Sequence, residues 1–215
     1  MAECQDPSGT PPRSAGAVPL SHASITDAAI DFIERRGLDR LSMRALAAEI
    51  GCGTMSLYSH IRNRDDLTAS IVSTLVSRSR IPETAGRVFG SWQEMVVALQ
   101  QAYMDLACRY PASFELLALA PYDAAPVASY LEELVEALHR GGLPKDRAYE
   151  VLGAVDAYST GFLTVWARTQ VSSEGPDDHA SQNLRSQRTL EVFERGLRVF
   201  ISGFEREFER ADERG

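Results

Sequence analysis

Along most of the chain, apolar side chains recur at intervals of three and four residues. No convincing stretch alternates apolar with polar, so the pattern predicts helices throughout and no strands. The first helix is expected to begin near Ser24, where Ser24 and Asp27 have capping-box spacing. It carries Ile25, Ala28, Ala29, Phe32 and Ile33 on one face and stops at Gly37. Ser42 is placed to cap a short second helix, 43–50. Gly51-Cys52-Gly53 reads as a turn, and a third short helix follows over about 54–60. Asn63, with Asp66 three residues on, looks like the cap of a fourth helix bearing Leu67, Ile71, Leu75 and Val76. Pro82 to Gly90 breaks the pattern. Five more helical stretches follow at about 91–109, 112–119, 124–140, 145–170 and 184–210. Residues 1–20, rich in Pro, Gly, Ser and Ala, are expected to be a disordered tail, and 171–183 a flexible polar loop. The expected division is 1–20 tail, 21–80 first domain and 81–215 second domain.

The informative segment is 41–64, LSMRALAAEIGCGTMSLYSHIRNR. Two helices crossing steeply around a short turn need a small residue where the backbones approach, and Ala47 is there. The turn needs a residue that tolerates positive φ, and Gly51 is there. Leu46, Ile50, Leu57 and Ile61 supply the apolar plug. The second of these helices is short and polar outside, with Thr54, Ser56, Ser59 and His60. Small hydroxyls let a helix approach base edges in a major groove, and its N-terminal amides suit phosphate.

Residues 24–78 resemble the DNA-binding domain of the tetracycline-repressor (TetR) family. Its hallmark is a glycine turn, then a small, polar recognition helix ending Leu-Tyr-x-His/Tyr-aromatic-x-x-Lys. This chain has Leu57-Tyr58-Ser59-His60-Ile61-Arg62-Asn63-Arg64. The resemblance implies an all-α protein: an N-terminal three-helix helix-turn-helix domain plus a C-terminal helical ligand-binding and dimerisation domain. It implies DNA contacts by Arg44, Thr54, Met55, Ser56, Tyr58, Ser59, His60 and Arg64, with Tyr58, His60 and Arg64 on phosphate. Two departures stand out: Ser59 replaces a residue that is often aromatic, and Ile61 replaces a frequent Phe.

A single short helix contacts too few base pairs for specificity, so the resemblance also implies a homodimer reading a palindrome, its two heads ~34–36 Å apart. Ala154, Ala157 and Gly161 on the 145–170 helix allow close approach. Leu190, Phe193, Leu197, Phe200 and Phe204 form a stripe on the last helix. Together they are the candidate four-helix interface, with packing inside the monomer as the alternative. Candidate lining residues for a small-molecule pocket are Trp92, Tyr103, Phe114, Tyr122, Tyr158, Phe162 and Trp166, each of which can equally be core. The effector expected is apolar or aromatic.

Charge refines this picture. The net charge is −8, but residues 1–80 balance nine arginines against nine carboxylates, while the remainder carries 13 basic and 21 acidic residues. The N-terminal third is thus the less anionic part, as expected of a DNA-reading head on an acidic body. Cys4, Cys52 and Cys108 lack the paired spacing of a disulfide framework or zinc site and read as reduced thiols, a redox switch being the alternative. No run approaches the ~18 apolar residues of a membrane span, and the acidic N-terminus lacks a signal-peptide core, so the expected location is the cytoplasm, without a membrane partner. His139 is the sole histidine of the predicted body helices, at a helix C-terminus, so no metal is expected. There is no nucleophile elbow, phosphate loop, HExxH or paired ligand set, so no catalytic residue and no cofactor is assigned.

The expected function is a sequence-specific regulator bound to double-stranded operator DNA, a repressor released by a small molecule. The alternatives are a ligand-independent regulator or activator, a helical protein–protein adaptor whose helix-turn-helix is only structural, and an all-α enzyme.

Overall fold

The computed structural model describes residues 19–121, 127–171 and 187–214, and every described element is helical. The expected tail, residues 122–126 and the polar segment before the last helix lie outside the described residues, apart from 19–20 and 171. Helix α1 spans His22–Arg36. Its cap is Ser21 rather than Ser24: the Ser21 hydroxyl accepts from the Ser24 amide, and Ser24 Oγ accepts from the Ser21 amide. Ser24 also donates to the Pro19 carbonyl, so its hydroxyl closes the capping box instead of opening the helix. Gly37 ends α1 at φ +87° and leads into a 3₁₀ turn, Leu38–Arg40.

Helices α2 (Met43–Ile50), α3 (Thr54–Tyr58) and α4 (Arg64–Arg78) follow. Ser42 and Asn63 cap α2 and α4 through the amides of Ala45 and Asp66, as the spacing predicts. The expected break at Pro82 is instead a short helix, α5 (Ile81–Gly86), because proline in the first turn needs no backbone donor there and presets φ. The body is completed by α6 (Trp92–Arg109), α7 (Phe114–Ala118), α8 (Val127–Arg140), α9 (Lys145–Val171) and α10 (Leu190–Asp212).

The head has its own apolar cluster: Ile25, Ile30 and Ile33 of α1, Leu46 of α2, Leu57 of α3 and Leu67, Ile71 and Leu75 of α4. Leu106 of α6 joins it, with Tyr110, Leu116 and Leu117 against its edge, so the first body helices and the head share buried surface. A second cluster joins α5, α6, α8, α9 and α10 through Met95, Val96, Leu138, Val151, Val155 and Leu197. A third gathers Phe114, Leu163 and Phe193. Each such side chain contributes roughly 1.5–3 kcal/mol by leaving water.

One close approach fixes how α9 meets α10. Tyr158 stacks on Phe193 at 5.4 Å and donates its hydroxyl to the Phe193 carbonyl at 2.9 Å. A Cβ on Gly196 would lie 2.1 Å from that hydroxyl oxygen, so the site demands glycine. Burial raises the Tyr158 phenol pKa. No described helix is long and apolar enough to cross a membrane. Cys52 and Cys108 are free thiols.

Candidate nucleic-acid interface and ligand cavity

Gly51 adopts φ +79°, and its amide and that of Cys52 both donate to the Ala47 carbonyl at 3.0 Å. This left-handed end turns the chain within two residues into α3. Leu46, Ala47, Leu57 and Ile61 are buried behind the turn, and Ile50 is partly buried with them. The plug therefore fixes which face of α3 points outward. Met55 is 81% exposed and Tyr58 45% exposed, and Ser56, Ser59 and His60 are exposed beside them. Thr54 is half-buried, less outward than its neighbours. Ser59 is also engaged locally, donating to the Ser56 carbonyl at 2.7 Å.

The arginines around the turn differ in whether a carboxylate holds them. Arg35 and Arg36 both clasp Glu49, at 2.8 and 3.0 Å. The hydrogen bond from Arg35, aided by the charge of Arg36, holds the Glu49 carboxyl below its usual range. Arg62 binds Asp66 through its backbone amide at 2.9 Å and its guanidinium at 3.3 Å, and the backbone bond is the larger cause of the lowered Asp66 pKa. Arg44, at the start of α2, and Arg64, the first residue of α4, are exposed and form no ion pair among the described residues. Two cations thus flank an uncharged helix of hydroxyls, one thioether, one phenol and one imidazole. Desolvating no partner of their own, they are open to polyanion oxygens.

The body contains a cavity of about 290 Å³ between α6, α8 and α9, reached also by Val76 of α4, Ile81 of α5 and Leu117 and Ala118 of α7. Of the aromatic candidates, Tyr103 lines it, and its hydroxyl lies 3.3 Å from Thr160 Oγ1. The other described candidates are placed elsewhere. Trp92 is buried against Phe208 at the far end of α6, and Phe114 is fully buried 5.0 Å from the Tyr103 ring. Tyr158, Phe162 and Trp166 pack around Phe193 and Leu163, where a helix crossing rather than a void needs their area. Tyr122 lies outside the described residues. Tyr130, Tyr149, Gln100 and Asp156 line the cavity and were missed. The aromatic criterion passes over Gln100 and Asp156; the helical spacing of Tyr130 with Leu131 and Leu134 on α8 is the signal that finds that wall.

On the outer side, Gly153, Ala157, Gly161 and Val165 are exposed at four-residue spacing along α9. On α10, Val199 is 64% and Phe200 38% exposed. Ala154, Leu190 and Phe204 are half-buried within the chain. Phe193 and Leu197 are buried inside it, because the crossing with α9 takes that face of α10.

Head and body are tied at named points. Glu34 of α1 accepts from the backbone amides of Ala112 and Ser113, at 3.2 and 2.8 Å, just before α7. Arg109 at the end of α6 donates to the Arg78 carbonyl at 3.1 Å, and Arg80 pairs with Asp105.

Residues 25–71 match the family model described as bacterial regulatory proteins, tetR family. The HTH-type transcriptional repressor DrrR1 of Streptomyces coeruleorubidus is 26% identical over 137 residues, 64% of this chain and 50% of that protein. An uncharacterized HTH-type transcriptional regulator of Mycobacterium tuberculosis is 30% identical over 135 residues, 56% of this chain and 59% of that protein. The chain thus spans about half the length of the curated relatives it matches. Among solved structures, a possible TetR family regulator from Streptomyces coelicolor superposes with TM-score 0.71 at 21% identity, over 86% of this chain and 98% of its own. A single-substitution variant of TetR from Acinetobacter baumannii in complex with minocycline gives 0.69 at 21% identity, over 87% and 97%. BioQ with its double-stranded DNA operator gives 0.60 at 21% identity, over 86% and 98%. The tetR family model thus matches the turn and the helices beside it, and the solved TetR-family regulators share the all-α fold over most of the chain.

Proposed function

We propose that the chain is a homodimeric repressor in the cytoplasm that binds a palindromic operator and leaves it when a small molecule occupies the body cavity. The observation that carries this reading is the exposed face of α3 with Arg44 and Arg64 on either side in the chain, exposed and in no ion pair among the described residues. In this reading Thr54, Met55, Ser56 and Ser59 meet base edges, while Arg44, Tyr58, His60 and Arg64 hold phosphates. Residues 21–80 act as the head and 81–215 as the body. The exposed α9 stripe of Gly153, Ala157 and Gly161, with Val199 and Phe200 of α10, meets the same surface of a second copy.

Release follows from differential affinity. A ligand favours whichever arrangement of the body fits it, and the head follows through shared contacts. The cavity is walled partly by Val76 on α4 and Leu117 on α7, and α7 is tied to α1 through Glu34. A change in cavity shape therefore reaches the head by two routes. The BioQ complex with operator DNA and the TetR complex with minocycline support the two halves of the reading by likeness of fold. The test is binding of full-length protein to fragments of the region upstream of its own gene, with Tyr58→Ala/Arg64→Ala as control. The double variant should fold and dimerise normally and lose selective binding. Unchanged binding would overturn the assignment of α3.

A further inference from the structure

We propose that the body cavity selects ligands bearing a hydrogen-bond acceptor, a ketone or quinone oxygen on a compact apolar frame, and that the Gln100 amide selects them. This rests on the reading of the cavity as the effector site. Gln100 is 5% exposed, so its amide is nearly removed from water. Its oxygen is already taken: Ser159 on α9, fully buried, donates its hydroxyl to Gln100 Oε1 at 2.5 Å. That separation fits O–H···O and is shorter than N–H···O bonds run, so the amide lies with its oxygen on Ser159. Nε2 then carries two hydrogens and has no hydrogen-bond partner among the described residues. Sealed, unpartnered side-chain atoms occur among the described residues at Gln93 Oε1, Ser113 Oγ and Thr164 Oγ1. Gln100 Nε2 is not one of them, so it keeps open surface. Gln100 is part of the cavity wall and Ser159 stands behind it, so that surface faces the cavity.

The surroundings make this donor a point of discrimination. Tyr103 and Asp156, its polar neighbours in the wall, are both tied to Thr160. Leu99, Leu131 and Leu134 offer apolar surface for the frame. At about 290 Å³ the space lies near the lower end of the ~300–1,000 Å³ range of ligand pockets, which suits two or three fused rings. An acceptor on that frame gives Nε2 the bond it lacks. A bare hydrocarbon strips Nε2 of water and returns nothing, and the cost of an unmet buried donor is the larger effect. A ligand N–H at the same place sets hydrogen against hydrogen. The order within a series of equal shape is therefore acceptor, apolar, donor. A wall without such a donor would instead favour the hydrocarbon, because it has no polar group to desolvate.

Three neutral probes of one shape test this: 9-fluorenone, an acceptor; fluorene, neither acceptor nor donor; and carbazole, a donor. Each is measured by equilibrium dialysis against full-length protein without DNA. Fluorenone should bind about ten-fold more tightly than fluorene, and carbazole most weakly. Gln100→Leu, of similar volume, should reverse the order and put fluorene first. Ser159→Ala frees the amide to turn its oxygen to the cavity, so the affinity of carbazole relative to fluorenone should rise at least about three-fold. Fluorene binding as tightly as fluorenone to the parent, no binding of fluorenone, or an order unchanged by Gln100→Leu would overturn the proposal. An unchanged carbazole-to-fluorenone ratio in Ser159→Ala would overturn the orienting role of Ser159. The comparison on the parent protein stands even if a variant fails to fold. Leu131→Trp, which fills the cavity, separates the two levels of the argument. If it blocks every probe but no acceptor preference exists, the cavity stands and the ligand class fails. If the probes bind it unchanged, the cavity reading fails as well.

Discussion

Gly51 and Arg64 illustrate two kinds of functional residue in the head. Gly51 acts through its backbone: at φ +79° a Cβ meets no neighbour, yet the conformation itself is strained for any other residue. Gly51→Ala should lower stability by about 1–2 kcal/mol, read as a shift of the urea midpoint at constant m-value. Arg64 acts through its side chain, being exposed and unpaired, so Arg64→Ala should leave stability within about 0.5 kcal/mol while flattening the salt dependence of DNA binding by about one phosphate contact. The carboxylates that hold Arg35, Arg36 and Arg62 set an acid limit. Glu49 and Asp66 have folded pKa values below their unfolded ones, so their contribution is fully present above the ordinary carboxylate range. It is lost as pH falls through the depressed values. Thermal melts should therefore fall on acidification through that window, and Asp66→Asn should melt with a shallower pH slope than the parent. At this scale the sequence was legible wherever local chemistry decides: Gly51, the Ser42 and Asn63 caps, and the outward Tyr58 and His60. It misled at Ser24, where two serines three apart compete for the same cap and only Pro19 and the backbone settle which one wins.

Among the elements, α7 has the strongest claim to transmit occupancy of the cavity. It is five residues long, lines the cavity through Leu117 and Ala118, and is preceded by the two amides that Glu34 of α1 binds. Glu34→Gln weakens a charge-assisted pair to a neutral one. It should leave DNA affinity without ligand close to the parent's and raise the ligand concentration needed for release, measured by fluorescence anisotropy of a labelled operator. Release at unchanged ligand concentration would mean that α4 alone carries the coupling. Helix existence was legible because each apolar face is long and periodic. What was not legible is which face of a body helix meets a partner, a void or solvent. Trp92, Phe114 and Phe193 are as aromatic as any pocket residue, yet crossings between α6, α7, α9 and α10 bury them. Short α5 was missed because proline in a first turn and proline as a breaker look alike in sequence.

For the whole molecule, the distribution of charge and exposed apolar surface matches the division of labour proposed. The balanced head faces a polyanion, and the acidic body discourages nonspecific contact with it. The outer faces of α9 and α10 combine small residues with Val199 and Phe200, a surface that a second copy would bury. Val199→Glu/Phe200→Glu should shift the protein toward monomer in sedimentation velocity while its circular dichroism remains helical. Operator affinity should fall with it, because one head alone reads too few base pairs. A dimer that survives the double substitution would place the interface elsewhere.

The central claim is that α3 reads DNA, and the most direct measurement is a salt series of full-length protein binding to fragments from upstream of its own gene. Binding to one palindromic fragment should be saturable, far tighter than to scrambled DNA, and should weaken steeply as salt rises. The selectivity should disappear in the Tyr58→Ala/Arg64→Ala variant. Equal binding to specific and scrambled fragments at low salt, untouched by that variant, would contradict the claim.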